Sequence, residues 1–344
     1  GIDRPLVRQR DYEEYTGFGE LKRQVHAGHT TETQYDAFGR PDIITYSFDG
    51  QSESLQYEYV EEGNGLGQVE SITQSNGIGY HYTYDQYGRI KTESEIIEGQ
   101  TYQSGYTYDS YGNLYKLTYP SGFSVKNEYD RGYLTKQRRG DNNAVLYELP
   151  DYNVRGQITE FKYGNGLPTL LDYDDYGFPD MFLVQSGGTL NLNYGFDPGT
   201  GNLNWRNDHT YRLNLHESFS YDDNHLKNRL TGWGEDEQEQ FSILYENNGN
   251  IRYKTDVTNN TDNSFKYNSS RPHAVTILDN VKQEYLDFVE GRDQTIVYNA
   301  FDKTQSITQG NKRLEFVYGP DQSRKIMKYY EKEGGNFVLK KTKY

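Results

Sequence analysis

Short runs of alternating polar and apolar residues, each closed by an Asp- and Gly-containing turn, recur along the whole chain. In Gly79-Tyr80-His81-Tyr82-Thr83-Tyr84 the aromatics fall at every second position, which puts Tyr80, Tyr82 and Tyr84 on one face of an extended strand. Asp85-Gln86-Tyr87-Gly88 then reads as a turn. Asp bonds backbone N–H groups just ahead of it, and Gly takes positive φ without steric cost. Arg89-Ile90-Lys91-Thr92-Glu93-Ser94 follows as a return strand, polar apart from Ile90 and expected to face water over much of its length. The unit is a β-hairpin with a turn of roughly 3–5 residues.

The turn phrase is Tyr-Asp-x-Tyr/Phe-Gly-Arg/Asn followed by an aliphatic residue. It is complete at Tyr84-Asp85 through Gly88 and at Tyr108-Asp109 through Gly112. Looser copies stand at Tyr35-Asp36 with Gly39, Tyr129-Asp130, Tyr173-Asp174 with Gly177, and Phe196-Asp197. Elsewhere the core shrinks to Gly19-Glu20-Leu21, Gly67-Gln68-Val69, Gly156-Gln157-Ile158 and Gly249-Asn250-Ile251, while Lys227-Asn228-Arg229-Leu230 has Asn for Gly. Anchored on the opening aromatic, copies from Tyr15 to Tyr318 are spaced 20 to 25 residues apart. The exception is a step of 31 from Tyr267 to Tyr298, where an insertion or degenerate unit is expected. A fixed period of this length marks one supersecondary unit stacked many times. The chain therefore reads as a single all-β repeat region over residues 1–344, about 14 units, with no room for a separate second domain.

Composition agrees with many turns and little deep interior. There are 35 Gly but only 9 Pro, mean hydropathy is −1.00, and 35 Tyr stand against 15 Phe and 2 Trp. Tyr favours strands and pairs an apolar ring with a polar tip, so a sheet rich in it can carry a half-wet face. A net charge of −15 disfavours nucleic acid and anionic membrane surfaces as partners. No apolar run approaches the roughly 20 residues that span a bilayer. Zero cysteines exclude disulfides and thiolate metal sites but leave the compartment open.

The search for chemistry returns none: the expected catalytic, cofactor and metal residues are all absent. His26-Ala27-Gly28-His29 has a spacing that would suit a helix, but it lies among strands and turns and reads as a solvated loop. The acidic run Glu235–Gln240 and Asp222-Asp223-Asn224-His225 read as solvated turns. Gly63-Asn64-Gly65-Leu66-Gly67 and Gly164-Asn165-Gly166-Leu167 precede no helix pattern and are turns too. No nucleophile elbow, zinc-protease or phosphate-loop motif occurs. The expectation is a non-enzyme.

The phrase resembles the YD repeats of Rhs proteins, a group that includes bacterial polymorphic toxins, shell components of insecticidal toxin complexes, and teneurins. Tyr119-Pro120-Ser121-Gly122, Tyr163-Gly164-Asn165-Gly166-Leu167, Arg271-Pro272-His273-Ala274-Val275-Thr276 and Tyr318-Gly319-Pro320-Asp321 are similar to other segments of that group. The resemblance implies β-hairpins winding into a spiralling hollow shell, and a role in encapsulating or scaffolding a C-terminal cargo or toxin domain. The partners would be that domain and neighbouring shell segments, in a secreted or surface-exposed bacterial protein. The self-cleaving core that follows the repeats in the family is missing, so no catalytic residue carries over. The rival reading is a surface adhesion module for a cell-surface glycan or protein, although only Trp205 and Trp233 are available for a Trp-based sugar site. The opening Gly1-Ile2-Asp3-Arg4 and the strand-like Leu339–Tyr344 read as cut ends of a longer polypeptide, expected to fray or to self-associate.

Overall fold

The computed structural model describes residues 11–344 except 27, 186–188, 211–212, 223–227, 237, 260–262, 270 and 287–292. The expected turn at Asp222–His225 therefore lies largely outside the described residues, as does Glu237. The fold is all-β: antiparallel strands follow one another in chain order, and the one described helix is the four-residue Gln283–Leu286. No described helix is long and apolar enough to cross a membrane. Two compact units divide the chain, one of residues 126–288 and one of residues 4–125 with 289–344.

In the second of these, strands from Asp11–Tyr15 to Leu114–Thr118 pair consecutively as an antiparallel meander. One edge of the meander carries the phrase turns. The opposite edge carries shorter turns, among them Asp49-Gly50 at φ 53° and 75° and Glu98-Gly99 at 49° and 79°. Two consecutive residues at positive φ form the mirror-image turn whose twist matches the flanking strands. The strand after the Tyr87 turn is longer and less wet than expected: it runs Ile90–Ile97, with Ser94 and Ile97 buried. Gln103 donates to the Ser94 hydroxyl at 3.1 Å, so this polar residue is buried with a partner.

The same unit brings sequence-distant strands together. A five-stranded sheet from Gln294–Tyr298 to Asn336–Lys343 packs its Ile326 against Ile78 and Ile97, with Val317 and Tyr102 alongside. Lys325 Nζ lies 2.6 Å from Glu95 Oε1 and 3.3 Å from Asp321 Oδ2, and Lys328 Nζ lies 2.8 Å from Glu98 Oε1. Asn76 Nδ2 donates to the Tyr318 carbonyl at 2.9 Å, and the Tyr344 hydroxyl donates to Glu98 Oε2 at 2.8 Å. The Leu339–Tyr344 run, read as an uncapped strand, is thus paired with Arg324–Glu333 and tied back to Glu98.

In the unit of residues 126–288, strands from Tyr133–Arg139 to Ile251–Lys254 pair in the same consecutive way. Glu217 is buried but fully engaged: Arg206 Nε and Nη2 each lie 2.5 Å from Oε2, and Trp233 Nε1 donates to Oε1 at 3.1 Å. Trp233 is accounted for by this network and by its contact with Phe241. Around the irregular step from Tyr267 to Tyr298, the strand Phe265–Lys266 just before Tyr267 pairs with Ile277–Leu278, Thr258 bridges to Val281, and the short helix follows.

Candidate functional site

The phrase turns at Asp36, Asp85, Asp109 and Asp174 are built the same way. At Asp85 the carbonyl accepts from Gly88 N at 3.0 Å and the N–H donates to the Arg89 carbonyl at 2.8 Å, a type I turn closed by a bulge. Gly88 sits at φ 77° to make the bulge, and Gly39, Gly112 and Gly177 do so at 77°, 90° and 93°. The Asp carboxylate fills the turn. Asp85 Oδ1 accepts from Tyr87 N at 2.8 Å and Arg89 N at 3.0 Å, while Oδ2 accepts from Arg89 Nε at 2.7 Å. Asp36 repeats this with Phe38 and Arg40, Asp109 with Tyr111 and Asn113, and Asp174 with Tyr176 and Phe178. Partial desolvation pushes the Asp36 and Asp85 carboxyls up, but the arginine and backbone donors outweigh it and hold both below the usual range. At Asp109 the Asn113 amide is the main cause of the same lowering.

Substituted copies keep the geometry by equivalent chemistry. Asn153 Oδ1 accepts from Arg155 N and Gln157 N at 2.9 and 3.0 Å, and Asn299 Oδ1 from Phe301 N and Lys303 N at 3.1 and 2.9 Å. Asn228, Asp302 and Gln322 take the glycine's place at φ 75°, 59° and 58°. The Tyr129-Asp130 copy differs. Both residues lie within the strand Ser124–Asp130, and the turn is the two-residue Arg131-Gly132 at φ 50° and 88°, so Asp130 ends a strand rather than filling a turn.

The opening tyrosine carries the link between repeats, which the sequence reading did not anticipate. Its hydroxyl donates to the carbonyl of the residue that lies opposite the opening aromatic of the preceding repeat. Tyr35 reaches Leu21 O at 2.6 Å, Tyr59 reaches Pro41 O at 2.7 Å, Tyr84 reaches Val69 O at 2.5 Å and Tyr108 reaches Ile90 O at 2.8 Å. Tyr152, Tyr173, Tyr221, Tyr245, Tyr267 and Tyr318 make the same bond at 2.7 to 3.1 Å. Phe196 has no hydroxyl and instead stacks on Phe178 at 5.3 Å between centroids.

A second set of contacts runs turn to turn through the residue after the glycine. Arg40 Nη1 donates to Gly67 O at 3.4 Å, Gln68 Nε2 to Gly88 O at 2.8 Å, Gln157 Nε2 to Gly177 O at 2.9 Å, and Arg229 to Gly249 O. The Arg40 guanidinium lies 3.9 Å from the Tyr59 ring centroid and Arg89 lies 4.2 Å from that of Tyr108, so each arginine also stacks on the next repeat's tyrosine. The Arg271–Thr276 segment enters the same series. Asn250 Nδ2 donates to Pro272 O at 2.7 Å and its Oδ1 lies 2.7 Å from His273 Nδ1, so this segment occupies the place of a turn in the irregular unit.

His26 and His29 require a correction: they do not lie in a solvated loop. They face each other across a hairpin at the end of Leu21–His26 and the start of His29–Tyr35. His29 stacks on Phe48 at 3.7 Å and its Nε2 lies 2.9 Å from Asp302 Oδ2. Among the described residues no group of three or more His, Asp or Glu is placed to hold a metal. Glu235 and Gln238 likewise pair with each other on neighbouring strands rather than lying in an acidic loop.

No protein-family model matches the chain, and no curated protein matches it. Solved structures do. The crystal structure of TcdB2-TccC3 superposes with a TM-score of 0.69 at 15% identity, over 94% of this chain and 20% of that one. TcdB2-TccC3 without its hypervariable C-terminal region gives 0.68 at 15% identity, again over 94% and 20%. A Photorhabdus luminescens Tc holotoxin pore carrying a TccC3 mutation gives 0.66 at 15% identity, over 94% and 19%. The chain spans about a fifth of the length of the structures it matches, and over that span its fold is that of the toxin-complex chains.

Proposed function

We propose that this chain is a non-catalytic wall segment of an Rhs-type YD-repeat shell that encloses or scaffolds a cargo domain supplied by the same polypeptide. The observation that carries the reading is the double set of repeat-to-repeat bonds, tyrosine hydroxyl to carbonyl and arginine or glutamine to glycine carbonyl, on a fold shared with TcdB2-TccC3. Such lateral bonding suits a thin continuous wall, because each repeat is held by its neighbours rather than by a thick core. Its partners would be the cargo domain and adjoining wall segments, and the parent protein would be secreted or surface-exposed.

The test uses the parent polypeptide. Limited proteolysis should leave the cargo segment intact in the native protein. It should cleave that segment after Tyr84, Tyr108 and Tyr173 are all changed to Phe under mildly destabilising conditions. Equal cleavage of the cargo in both proteins would overturn the enclosure reading, and hydrolytic activity residing in residues 1–344 would overturn the non-catalytic one.

A further inference from the structure

An asparagine followed by glycine is open to attack on its side-chain amide by the next backbone nitrogen, because glycine has no Cβ to obstruct the approach. The chain contains four such pairs: Asn64-Gly65, Asn76-Gly77, Asn165-Gly166 and Asn248-Gly249. Three of them are locked. Asn76 Oδ1 accepts from Ile78 N at 3.0 Å, its Nδ2 donates to the Tyr318 carbonyl, and Gly77 N donates to Gln74 O at 2.8 Å. Asn165 Oδ1 accepts from Leu167 N at 3.1 Å and Asn248 Oδ1 from Asn250 N at 2.9 Å. Gly166 N and Gly249 N donate to the Tyr163 and Glu246 carbonyls, each at 2.8 Å. In all three pairs the side chain that would be attacked and the nitrogen that would attack it are both engaged elsewhere.

Asn64 is different. It is exposed in the loop that joins Gln51–Tyr59 to Val69–Gln74, between Gly63 and Gly65 at φ 79° and 82°. The loop is closed by bonds from Val60 N to Gln68 O, Gly67 N to Val60 O and Gln68 N to Gly65 O, at 2.8 to 2.9 Å. Among the described residues, neither the Asn64 side chain nor the Gly65 N–H has a hydrogen-bond partner. The side chain can therefore rotate onto Gly65 N without breaking a bond, whereas each of the other three pairs must first open locally. Gly65 also lies against the link between repeats. A methyl placed on it would overlap the Tyr84 ring, whose hydroxyl donates to Val69 O.

We propose that Asn64 is a self-modification site, deamidating spontaneously with water as its only co-reactant. Gly65 N bonds to Asn64 Cγ and gives up its proton to solvent, while the side-chain nitrogen takes one up and leaves as ammonia. Water then opens the cyclic imide at either carbonyl, giving isoaspartate or aspartate. Isoaspartate inserts an extra methylene into the backbone ahead of Gly65 and sets a new carboxylate near the exposed Glu61 and Glu62. The longer backbone shifts Gly65 against Tyr84 and loosens the bond to Val69, so this repeat weakens with age. The test is incubation of the folded 344-residue chain in mildly alkaline buffer, with peptide mapping by mass and isoaspartate counted by isoaspartyl methyltransferase labelling. Asn64 should convert at least about tenfold faster than Asn76, Asn165 or Asn248, and the four rates should draw together in urea. Amide exchange in Val69–Gln74 should speed up in the aged native chain and stay unchanged in aged Asn64→Gln. The site is overturned if any of the other three asparagines keeps pace in the folded chain, or if Asn64 stays intact while the urea-unfolded chain deamidates. Unchanged exchange in molecules already converted at residue 64 would overturn the loosening of the Tyr84 link.

Discussion

Replacing Tyr108 by Phe removes a single oxygen and isolates the link between repeats. The ring stays, and with it the contact to the Arg89 guanidinium at 4.2 Å; the 2.8 Å hydrogen bond to Ile90 O is lost. A typical intramolecular hydrogen bond contributes about 0.5–1.5 kcal/mol net, and a carbonyl left without a partner costs more only where water cannot reach it. Tyr108 and Ile90 are both half-buried, so some rehydration is available and the expected loss is about 1 kcal/mol. The bond recurs in ten described repeats, and bonds a repeat or more apart should add nearly independently. The triple change at Tyr84, Tyr108 and Tyr173 should then cost about 3 kcal/mol, a large part of a domain's usual 5–15 kcal/mol.

Urea unfolding followed by circular dichroism measures this directly: the midpoint should fall stepwise from single to triple variant while the slope m stays constant. The chain also offers the reverse experiment. Phe196 lacks the hydroxyl, and the position opposite the preceding anchor Tyr173 is Pro179. Phe196→Tyr should gain the bond to the Pro179 carbonyl and raise stability by about 0.5–1 kcal/mol. Tyr-to-Phe losses below about 0.3 kcal/mol at all three sites, with no gain at Phe196, would show that the hydroxyls merely exchange protein for water and do not join the repeats.

Other perturbations address the remaining parts of the fold. Gly88→Ala places a side chain at φ 77° with its Cβ 2.8 Å from Gln68 Nε2, and should cost about 1–2 kcal/mol in the same urea assay, most of it the left-handed backbone. Lys325→Met leaves Glu95 without its 2.6 Å cation. It should cost about 2 kcal/mol and speed amide exchange in Lys312–Tyr318, and a further Glu95→Gln change should recover part of the loss. At alkaline pH, Tyr80, Tyr82 and Tyr106 are each pushed up to about 12, first of all by desolvation. Their folded-state values lie above the ordinary 10, so their contribution is complete below pH 10 and is lost as pH rises toward about 12, which phenolate absorbance and circular dichroism should register together. The lowered carboxyls of Asp36, Asp85 and Asp109 act in the opposite direction. Their contribution is present above the ordinary Asp value and disappears as pH falls through their folded-state values, a loss that Asp109→Asn should reduce.

The period, the strand-and-turn content and the glycine conformations were legible because each depends on residues within one phrase. Gly88, Gly112 and Gly249, at 77°, 90° and 90°, sit where a short loop demands positive φ. The turns on the opposite edge were equally local and went unread, although Asp49-Gly50 is a strong hairpin signal. Tyr129-Asp130 misled because the same letters close a strand once Arg131-Gly132 supplies a two-residue turn. His26 and His29 misled because they end and begin two paired strands and face each other there. The packing of Ile326 on Ile78 and Ile97, and of Lys325 on Glu95, joins residues more than two hundred positions apart. No local pattern encodes such a meeting.

The abundance of tyrosine was correctly noticed and incompletely explained. A half-wet sheet face would be served by any aromatic with some polarity, but it does not explain why the ring recurs at the head of each phrase. The hydroxyl explains it: only a ring carrying a donor at its far end can lie across the bulge of one repeat and reach the carbonyl opposite the anchor of the one before. The arginine or glutamine that follows the glycine performs the same task at the turn tip. With both bonds directed to a neighbour, the energy that holds a repeat lies between repeats. The short roll of buried apolar side chains, from Phe48 and Leu55 to Phe316 and Ile326, is then enough. A mean hydropathy of −1.00 becomes compatible with a cooperative fold, because removing one repeat unseats the tyrosine and the turn of the next.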